Sequence, residues 1–174
     1  MRTTGHASRN AKRGATLPEL LISLAISAIL AIAAWPVLRN LTAEQTVAHA
    51  ADRLAASLAL ARTIAASRRV EVRIGPLAGA HTLDGGWQLD SDMEPSLAVV
   101  RASDPCLRIT LRSTAGPAGA QSLRLTPVGY SRSEQGGFLA ATFQLRCHRA
   151  QRQVRLGAQG RIRICRPGTD VDCD

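Results

Sequence analysis

Residues 14–38 read GATLPELLISLAISAILAIAAWPVL and contain one charged side chain, Glu19. The nineteen uncharged residues after it, Leu20 to Leu38, are long enough to cross a bilayer as a helix. An unpaired charge in the membrane core costs roughly 2.5–3.5 kcal/mol, so Glu19 needs a partner. Four basic residues precede the segment, as is typical of its cytoplasmic side: Arg2, Arg9, Lys12 and Arg13. The sequence therefore predicts a membrane-anchoring helix.

Two common kinds of apolar segment share part of this pattern. A secretory signal peptide has a basic start, an apolar stretch and a small-residue cleavage site such as Ala31-Ile32-Ala33. Cleavage there would release a secreted, soluble binding protein that starts at Ala34 or Trp35. A simple single-pass anchor has a similar apolar run. Neither explains Glu19, and the apolar region of a signal peptide is usually shorter.

The segment resembles the N-terminus of type IV prepilins. The motif is a glycine that closes a short basic leader, then small or apolar residues, then a glutamate at the fifth position: Gly14, residues 15–18 and Glu19. Pro36 stands where pilin helices commonly carry a proline, and Ala15 stands where phenylalanine is usual. The resemblance implies that a prepilin peptidase cuts after Gly14 and that the new amine of Ala15 is methylated.

The same resemblance gives two helix residues a role in assembly. When subunits stack their helices, the Glu19 carboxylate is expected to neutralise the N-terminal ammonium of a neighbour in a low-dielectric bundle. Pro36 removes one helix hydrogen bond and is expected to kink or locally melt the helix. The implied partners are other minor and major pilins, the inner membrane and the prepilin peptidase. The protein would be anchored in the inner membrane with a periplasmic domain, and later assembled into a pilus on the cell surface.

The chain divides into four predicted segments. These are a leader at 1–14, a transmembrane and assembly helix at 15–41, an amphipathic helix half at 42–68 and a periplasmic β-rich domain at 69–174. Apolar residues of the amphipathic half recur at three- and four-residue steps and are expected to pack on a sheet: Leu41, Val47, Leu54, Leu58, Ala61, Ile64 and Ala65. Four charged residues of the same half are expected to face water: Glu44, Asp52, Arg53 and Arg62.

After the helix, which the pattern ends at about Ser67, short β-rich runs alternate with turn residues. The predicted strands are Val70–Ile74, Gly86–Asp90, Ala98–Ala102, Leu107–Ser113, Ser122–Thr126, Phe138–Cys147, Gln153–Leu156 and Gly160–Cys165. A long helix followed by an antiparallel sheet is an α+β arrangement. The expected fold is therefore α+β and type IV pilin-like, with the long N-terminal helix packed on a C-terminal antiparallel β-sheet domain.

Three patches of the soluble half resemble minor pilins and pseudopilins grouped as GspH/FimT. They are Gly86-Trp87, residues 125–129 (LTPVG) and residues 160–165 (GRIRIC). The FimT branch of this family is associated with DNA binding during natural transformation, through a C-terminal Gly-Arg-x-Arg motif. In this sequence that motif maps onto Gly160, Arg161 and Arg163.

The arginine distribution agrees with such a role. Four of the nine net positive charges lie in the leader, which leaves the rest of the chain near +5, and no acidic residue occurs between Gln135 and Thr169. That stretch holds seven arginines: Arg146, Arg149, Arg152, Arg155, Arg161, Arg163 and Arg166. In a strand, Arg161 and Arg163 share one face, and a guanidinium suits phosphate oxygens. The expected DNA-binding residues are Gly160, Arg161 and Arg163, with Arg146, Arg155 and Arg166 assisting.

Other interpretations of these arginines stay open. The chain has 21 arginines and one lysine, a bias that a GC-rich genome produces by itself, and a charged strand face is usually only solvated. Asp170, Asp172 and Asp174 can partly neutralise the patch. Because the chain has only five aromatic residues, DNA binding would be led by phosphates and independent of base sequence. The missing side chain of Gly160 is expected to let its backbone approach DNA.

The four cysteines allow three pairings, between which the sequence does not choose, and they favour an oxidising compartment. We favour Cys106 with Cys147 and Cys165 with Cys173. No Cys-x-x-Cys or histidine spacing indicates a metal site, no cofactor is expected, and no nucleophile–base set indicates an enzyme. The prediction is a DNA-binding minor pilin. The alternatives are a structural minor pilin that primes pilus assembly and a GspH-like pseudopilin of type II secretion.

Overall fold

A computed structural model of the chain describes residues 17–113, 121–132, 137 and 140–173. Helix α1 runs from Leu17 to Arg68, one residue beyond its predicted end. It continues through Pro36, so the local melting expected at that residue is not found. The proposed cleavage site, Gly14 and Ala15, lies outside the described residues. The chain forms two compact units, residues 1–38 and residues 39–174.

The described part of the first unit is an apolar helix with no core of its own. Every residue from Leu17 to Leu38 is exposed, and the most apolar window has a mean hydropathy of 2.3. By length and composition this helix can cross a membrane. The exposed apolar surface is the property expected of a segment that rests in lipid or against other helices.

In the second unit, the helix contributes one face to the core. Eight of its apolar side chains are buried: Ala43, Val47, Ala50, Ala51, Leu54, Leu58, Ala61 and Ala65. Leu41 was predicted to join them but is 57% exposed, because the buried face begins only at Ala43. All the buried residues of the described chain lie at or after Ala43. Residues 39–174 therefore carry their own core.

Within the described residues, nine strands follow the helix. They are β1 (Val72–Pro76), β2 (Gly86–Ser91), β3 (Ala98–Arg101), β4 (Arg108–Ser113), β5 (Leu123–Leu125), β6 (Ser131–Arg132), β7 (Ala141–Cys147), β8 (Ala150–Leu156) and β9 (Ile162–Cys165). A short 3₁₀ helix, Val171–Cys173, ends the described chain. All eight predicted strands are present with shifted ends. The two-residue strand β6 was not predicted, and residues 138–139 of the predicted seventh strand lie outside the described residues.

The strands form two antiparallel sheets. One has the order β3-β2-β1-β5-β6 and the other has the order β4-β7-β8-β9. The chain therefore leaves the second sheet after β4, adds β5 and β6 to the first, and returns at β7. One buried cluster joins the helix to the inner faces of both sheets. Trp87 lies in this cluster, and its indole N–H donates to the Ser57 hydroxyl at 2.9 Å.

Two disulfide bonds hold the domain, and both are the favoured pairings. Cys106–Cys147 joins the residue two before β4 to the end of β7. Cys165–Cys173 joins the end of β9 to the 3₁₀ helix and closes a loop with a sequence separation of 8. Since the chain has four cysteines, no thiol remains free.

Candidate nucleic-acid interface

The outer face of the four-stranded sheet carries a row of arginines that crosses its strands. In β7, Phe143 and Leu145 face the core, so the alternating residues face outward. The register then places Arg112 of β4 opposite Thr142, Thr142 opposite Arg155 of β8, and Arg155 opposite Arg163 of β9. Adjacent strands lie about 4.8 Å apart, so the row spans roughly 14 Å.

Arg161 joins this row from the turn between β8 and β9. Together the four arginines border one open groove of about 530 Å³. The other lining residues are small, polar or aliphatic: Ser113, Ala140, Ala141, Thr142, Leu156, Gly157 and Val171. Arg112 and Arg161 are exposed, whereas Arg155 and Arg163 are partly buried. No described lining residue is acidic, so the groove presents positive charge to solvent.

The chemistry of this groove suits phosphate oxygens. A guanidinium offers five N–H donors in a planar fork and keeps its charge at every physiological pH. In the described part of the chain, neither Arg112 nor Arg161 forms an ion pair with a carboxylate. Asp170, which the sequence offered as a neutralising group, accepts the backbone N–H of Arg166 at 2.6 Å within its own loop.

The turn before β9 has a compact structure that requires glycine. The Gly160 N–H donates to the Gly157 carbonyl at 2.8 Å, and the Gly157 N–H donates to the Arg161 carbonyl at 2.9 Å. Gly160 is buried, has a φ of 79°, and any Cβ there would clash with the Gly129 carbonyl oxygen. The expectation that Gly160 lets DNA approach the backbone is therefore corrected: this glycine is buried and packs against the Gly129 carbonyl and Arg62.

Arg146 lies on the same outer face but outside the groove. It is four residues from Thr142 along β7, a distance of roughly 13 Å. Its cross-strand neighbours are Arg108 and Gln151. The sheet therefore separates Arg146 from the arginine row, although both were expected in one site.

The side chain of Arg166 lies against helix α1 and does not line the groove. Its Nη2 lies 3.4 Å from Glu44 Oε2, and Nη2 of Arg152 lies 3.8 Å from the same oxygen. Arg166, expected to assist in DNA binding, does not line the groove and lies instead beside a carboxylate 122 residues away. Glu44, expected to face water, is the partner of both arginines.

Arg112 is the groove residue that the sequence analysis missed. The alternation Arg108-Ile109-Thr110-Leu111-Arg112 was enough to assign it to an outer face. The favoured Cys106–Cys147 bond was a signal that β4 lies beside β7, but it did not define the register of that pair across an intervening excursion to the other sheet. That pairing brings Arg112 to the groove.

A second arginine row, on the five-stranded sheet, provides an internal comparison. Arg73 lies opposite Arg124, which lies opposite Arg132. Acidic side chains accompany this row: Asp90 is 3.3 Å from Arg73, and Glu71 is 3.7 Å from Arg124. The second row therefore has acidic partners close by, whereas the described lining of the groove contains no acidic residue.

One group of potential metal ligands lies together in the described chain: Cys106, Cys147 and His148. Both sulfurs are bonded to each other, and a metal requires the thiolate form. A single exposed imidazole remains, which is too few ligands for a structural metal site.

Comparison with protein families gives two matches. The family described as "Type II transport protein GspH" matches residues 50–168, more than half of the chain. The "Prokaryotic N-terminal methylation motif" matches residues 9–35, the region that contains Gly14, Glu19 and most of the apolar run. No curated protein matches the chain.

Among solved structures, the chain is similar to the type IV minor pilin FimU of Pseudomonas aeruginosa. The TM-score is 0.53 at 19% identity, over 68% of this chain and 87% of that chain. A second crystal form of FimU gives a TM-score of 0.49 at 20% identity, over 67% and 90% of the two chains. The first comparison shows that this chain has the fold of a type IV pilin, as the sequence predicted.

Proposed function

The chain belongs to the GspH family of type IV pilin-like proteins, and from that premise we propose that it is a minor pilin that binds extracellular DNA. Binding is independent of base sequence and serves DNA uptake in natural transformation. Arg161 and Arg163 of the Gly-Arg-x-Arg motif contact phosphates, together with Arg155 and Arg112. The protein is anchored by its apolar helix, processed after Gly14 and assembled with other pilins through that helix and Glu19.

One observation carries the proposal: four arginines from three strands and one turn border a single groove whose described lining contains no acid. The second arginine row lacks this property because acidic side chains balance it. Phosphate contacts supply most of the affinity of sequence-independent DNA binding, and each contact releases counterions. A concentrated set of guanidinium groups, with no acidic residue in the described lining around it, is what such binding needs.

The test is a gel-shift salt series on residues 39–174, which carry their own core. Wild type is compared with Arg161→Gln/Arg163→Gln on random-sequence duplex DNA between about 50 and 200 mM salt. The matched control is Arg53→Gln/Arg101→Gln, which removes the same charge from exposed positions outside the groove. We expect the groove variant to lose binding and the control to keep most of it.

Equal losses in both variants would mean that only net charge matters and would reject the groove as the site. Absence of wild-type binding at low salt would reject DNA binding altogether. Circular dichroism of each variant is the control for folding.

A second candidate function is structural, and the description of the matching family favours it. In that case the protein primes pilus assembly, or acts as a pseudopilin of type II secretion, and the groove is only a solvated surface. Neighbouring genes for secretion rather than for pili or competence would support this alternative, as would the absence of DNA binding.

A further inference from the structure

Arg62 of helix α1 lies against the turn that carries Arg161. Its Nη1 donates a hydrogen bond to the Gly160 carbonyl oxygen at 3.0 Å, across a sequence separation of 98. A Cβ built on Gly160 would lie 3.2 Å from both Cζ and Nε of Arg62. A Cβ built on Gly129 would lie 3.3 Å from that Nε. The guanidinium therefore packs closely against glycines of two different turns. Gly129 lies between β5 and β6 of the five-stranded sheet, and Gly160 lies between β8 and β9 of the four-stranded sheet.

The hydrogen bond from Arg62 helps to attach the turn of residues 157–161 to the rest of the domain. The two internal hydrogen bonds of residues 157–161 define its shape, but they do not attach it to the rest of the domain. Attachment comes from the Ser131 N–H, which donates to the Ala158 carbonyl at 3.3 Å, and from Arg62. Of these two, only Arg62 reaches Gly160, the residue directly before Arg161.

From these contacts we infer that Arg62 is a positioning residue for the groove: it holds Gly160, and through it Arg161, in the geometry that meets phosphate. Arg62 itself does not line the groove; it borders a separate surface together with Ala59, Thr63 and Ile162. The inference rests on the proposed function where it concerns DNA. Its structural half, the fixation of the turn, does not depend on DNA.

The first measurement is amide hydrogen exchange of residues 39–174 without DNA. In Arg62→Gln we expect the Gly157 and Gly160 amides to exchange at least about tenfold faster, while amides of β7 remain unchanged. Arg53→Gln is the matched control, because it removes an exposed arginine from the same helix that makes no side-chain hydrogen bond within the described residues. Unchanged exchange at the turn in Arg62→Gln would overturn the inference.

The second measurement is a double-mutant cycle on DNA affinity with Arg62→Gln, Arg161→Gln and the double variant. We expect each single change to weaken binding about five- to tenfold and the double variant to be no weaker than Arg161→Gln. Additive losses would show that Arg62 binds phosphate by itself and would overturn the inference. Should Arg62→Gln fail to fold, Arg62→Lys, which keeps the charge but not the planar fork, enters the same cycle.

The two measurements distinguish the failure of this inference from the failure of the proposed function. If wild type does not bind DNA, the proposed function fails, and hydrogen exchange alone decides whether Arg62 fixes the turn. If wild type binds and Arg161→Gln weakens it, the proposed function stands, whatever Arg62→Gln does.

Discussion

Gly160 is the single residue whose substitution has the clearest expected cost. Its φ of 79° is a backbone conformation that favours glycine, and a Cβ would meet the Gly129 carbonyl and the Arg62 guanidinium. We expect Gly160→Ala to lower the free energy of unfolding of residues 39–174 by about 1–3 kcal/mol and to weaken DNA binding. Chemical denaturation measures the first effect.

Gly168→Ala separates the cost of the positive φ from the cost of close contacts made by the added Cβ. Gly168 has a similar φ of 74°, but no atom lies within 4 Å of the added Cβ. We therefore expect it to cost about 1 kcal/mol, the part that arises from backbone strain alone. Equal destabilisation by both alanines would contradict the role of close packing at Gly160.

The site residues show where reasoning from sequence ends. Strand alternation and the Gly-Arg-x-Arg motif were sufficient to propose Arg161, Arg163 and Arg155, which the structure brings to one groove. Arg166 lies in the same basic stretch, and nothing local distinguishes it. Its orientation depends on Glu44, which is distant in sequence, so only the folded structure separates Arg166 from the groove.

At the scale of elements, helix α1 was predictable because the uncharged apolar run from Leu20 to Leu38 is followed by apolar residues at three- and four-residue steps. The residues at which the strands begin and end were harder to predict. Strand β8 begins at Ala150 rather than at the predicted Gln153. Gln151 and Arg152 are polar and carry no strand signal of their own, but they pair with Arg146 and Leu145 of β7. Strand β6 has two residues, Ser131 and Arg132, and exists only because β5 pairs with it. Such a strand has no periodicity of its own.

The two disulfide bonds should contribute different amounts to the free energy of unfolding. In the chain-entropy model, the bond with a sequence separation of 41 contributes about 4 kcal/mol, and the bond with a separation of 8 contributes about 2.5 kcal/mol. We expect Cys106→Ser/Cys147→Ser to be the more destabilised variant in denaturant unfolding. The reverse order would show that local packing, not loop closure, governs these bonds.

The shorter bond has a second expected effect, since Val171 of the 3₁₀ helix borders the groove. Cys165→Ser/Cys173→Ser should therefore weaken DNA binding more than Cys106→Ser/Cys147→Ser does, when both are compared under conditions where they are folded.

The N-terminal segment makes a prediction of its own. We expect mass spectrometry of the protein recovered from membranes to find a methylated Ala15 as the first residue, because residues 9–35 match the methylation motif. A mature chain that begins at Ala34 or Trp35 would contradict pilin processing and favour a secreted protein.

For the whole molecule, the salt dependence of DNA binding counts the phosphate contacts. If all four groove arginines meet phosphates, the logarithm of affinity should fall with the logarithm of salt at a slope of roughly −3.6 on duplex DNA. Arg161→Gln/Arg163→Gln should reduce the slope to roughly −1.8. A slope unchanged by this substitution would mean that other charges contact DNA. Affinity should be equal for duplexes of unrelated sequence.

The Cys106–Cys147 bond has a mechanical consequence. Under the proposed function, DNA held at β9 and the membrane anchor in α1 put tension between the two ends of the domain. Residues 106–147 form a covalent ring, and this ring includes strands of both sheets. Even if force tears the domain open, the chain inside the ring cannot extend. About 41 residues, or roughly 140 Å of contour length, therefore cannot add to the length of the chain when the domain unfolds under force. The distance between the membrane anchor and the bound DNA increases less than it would without the disulfide bond.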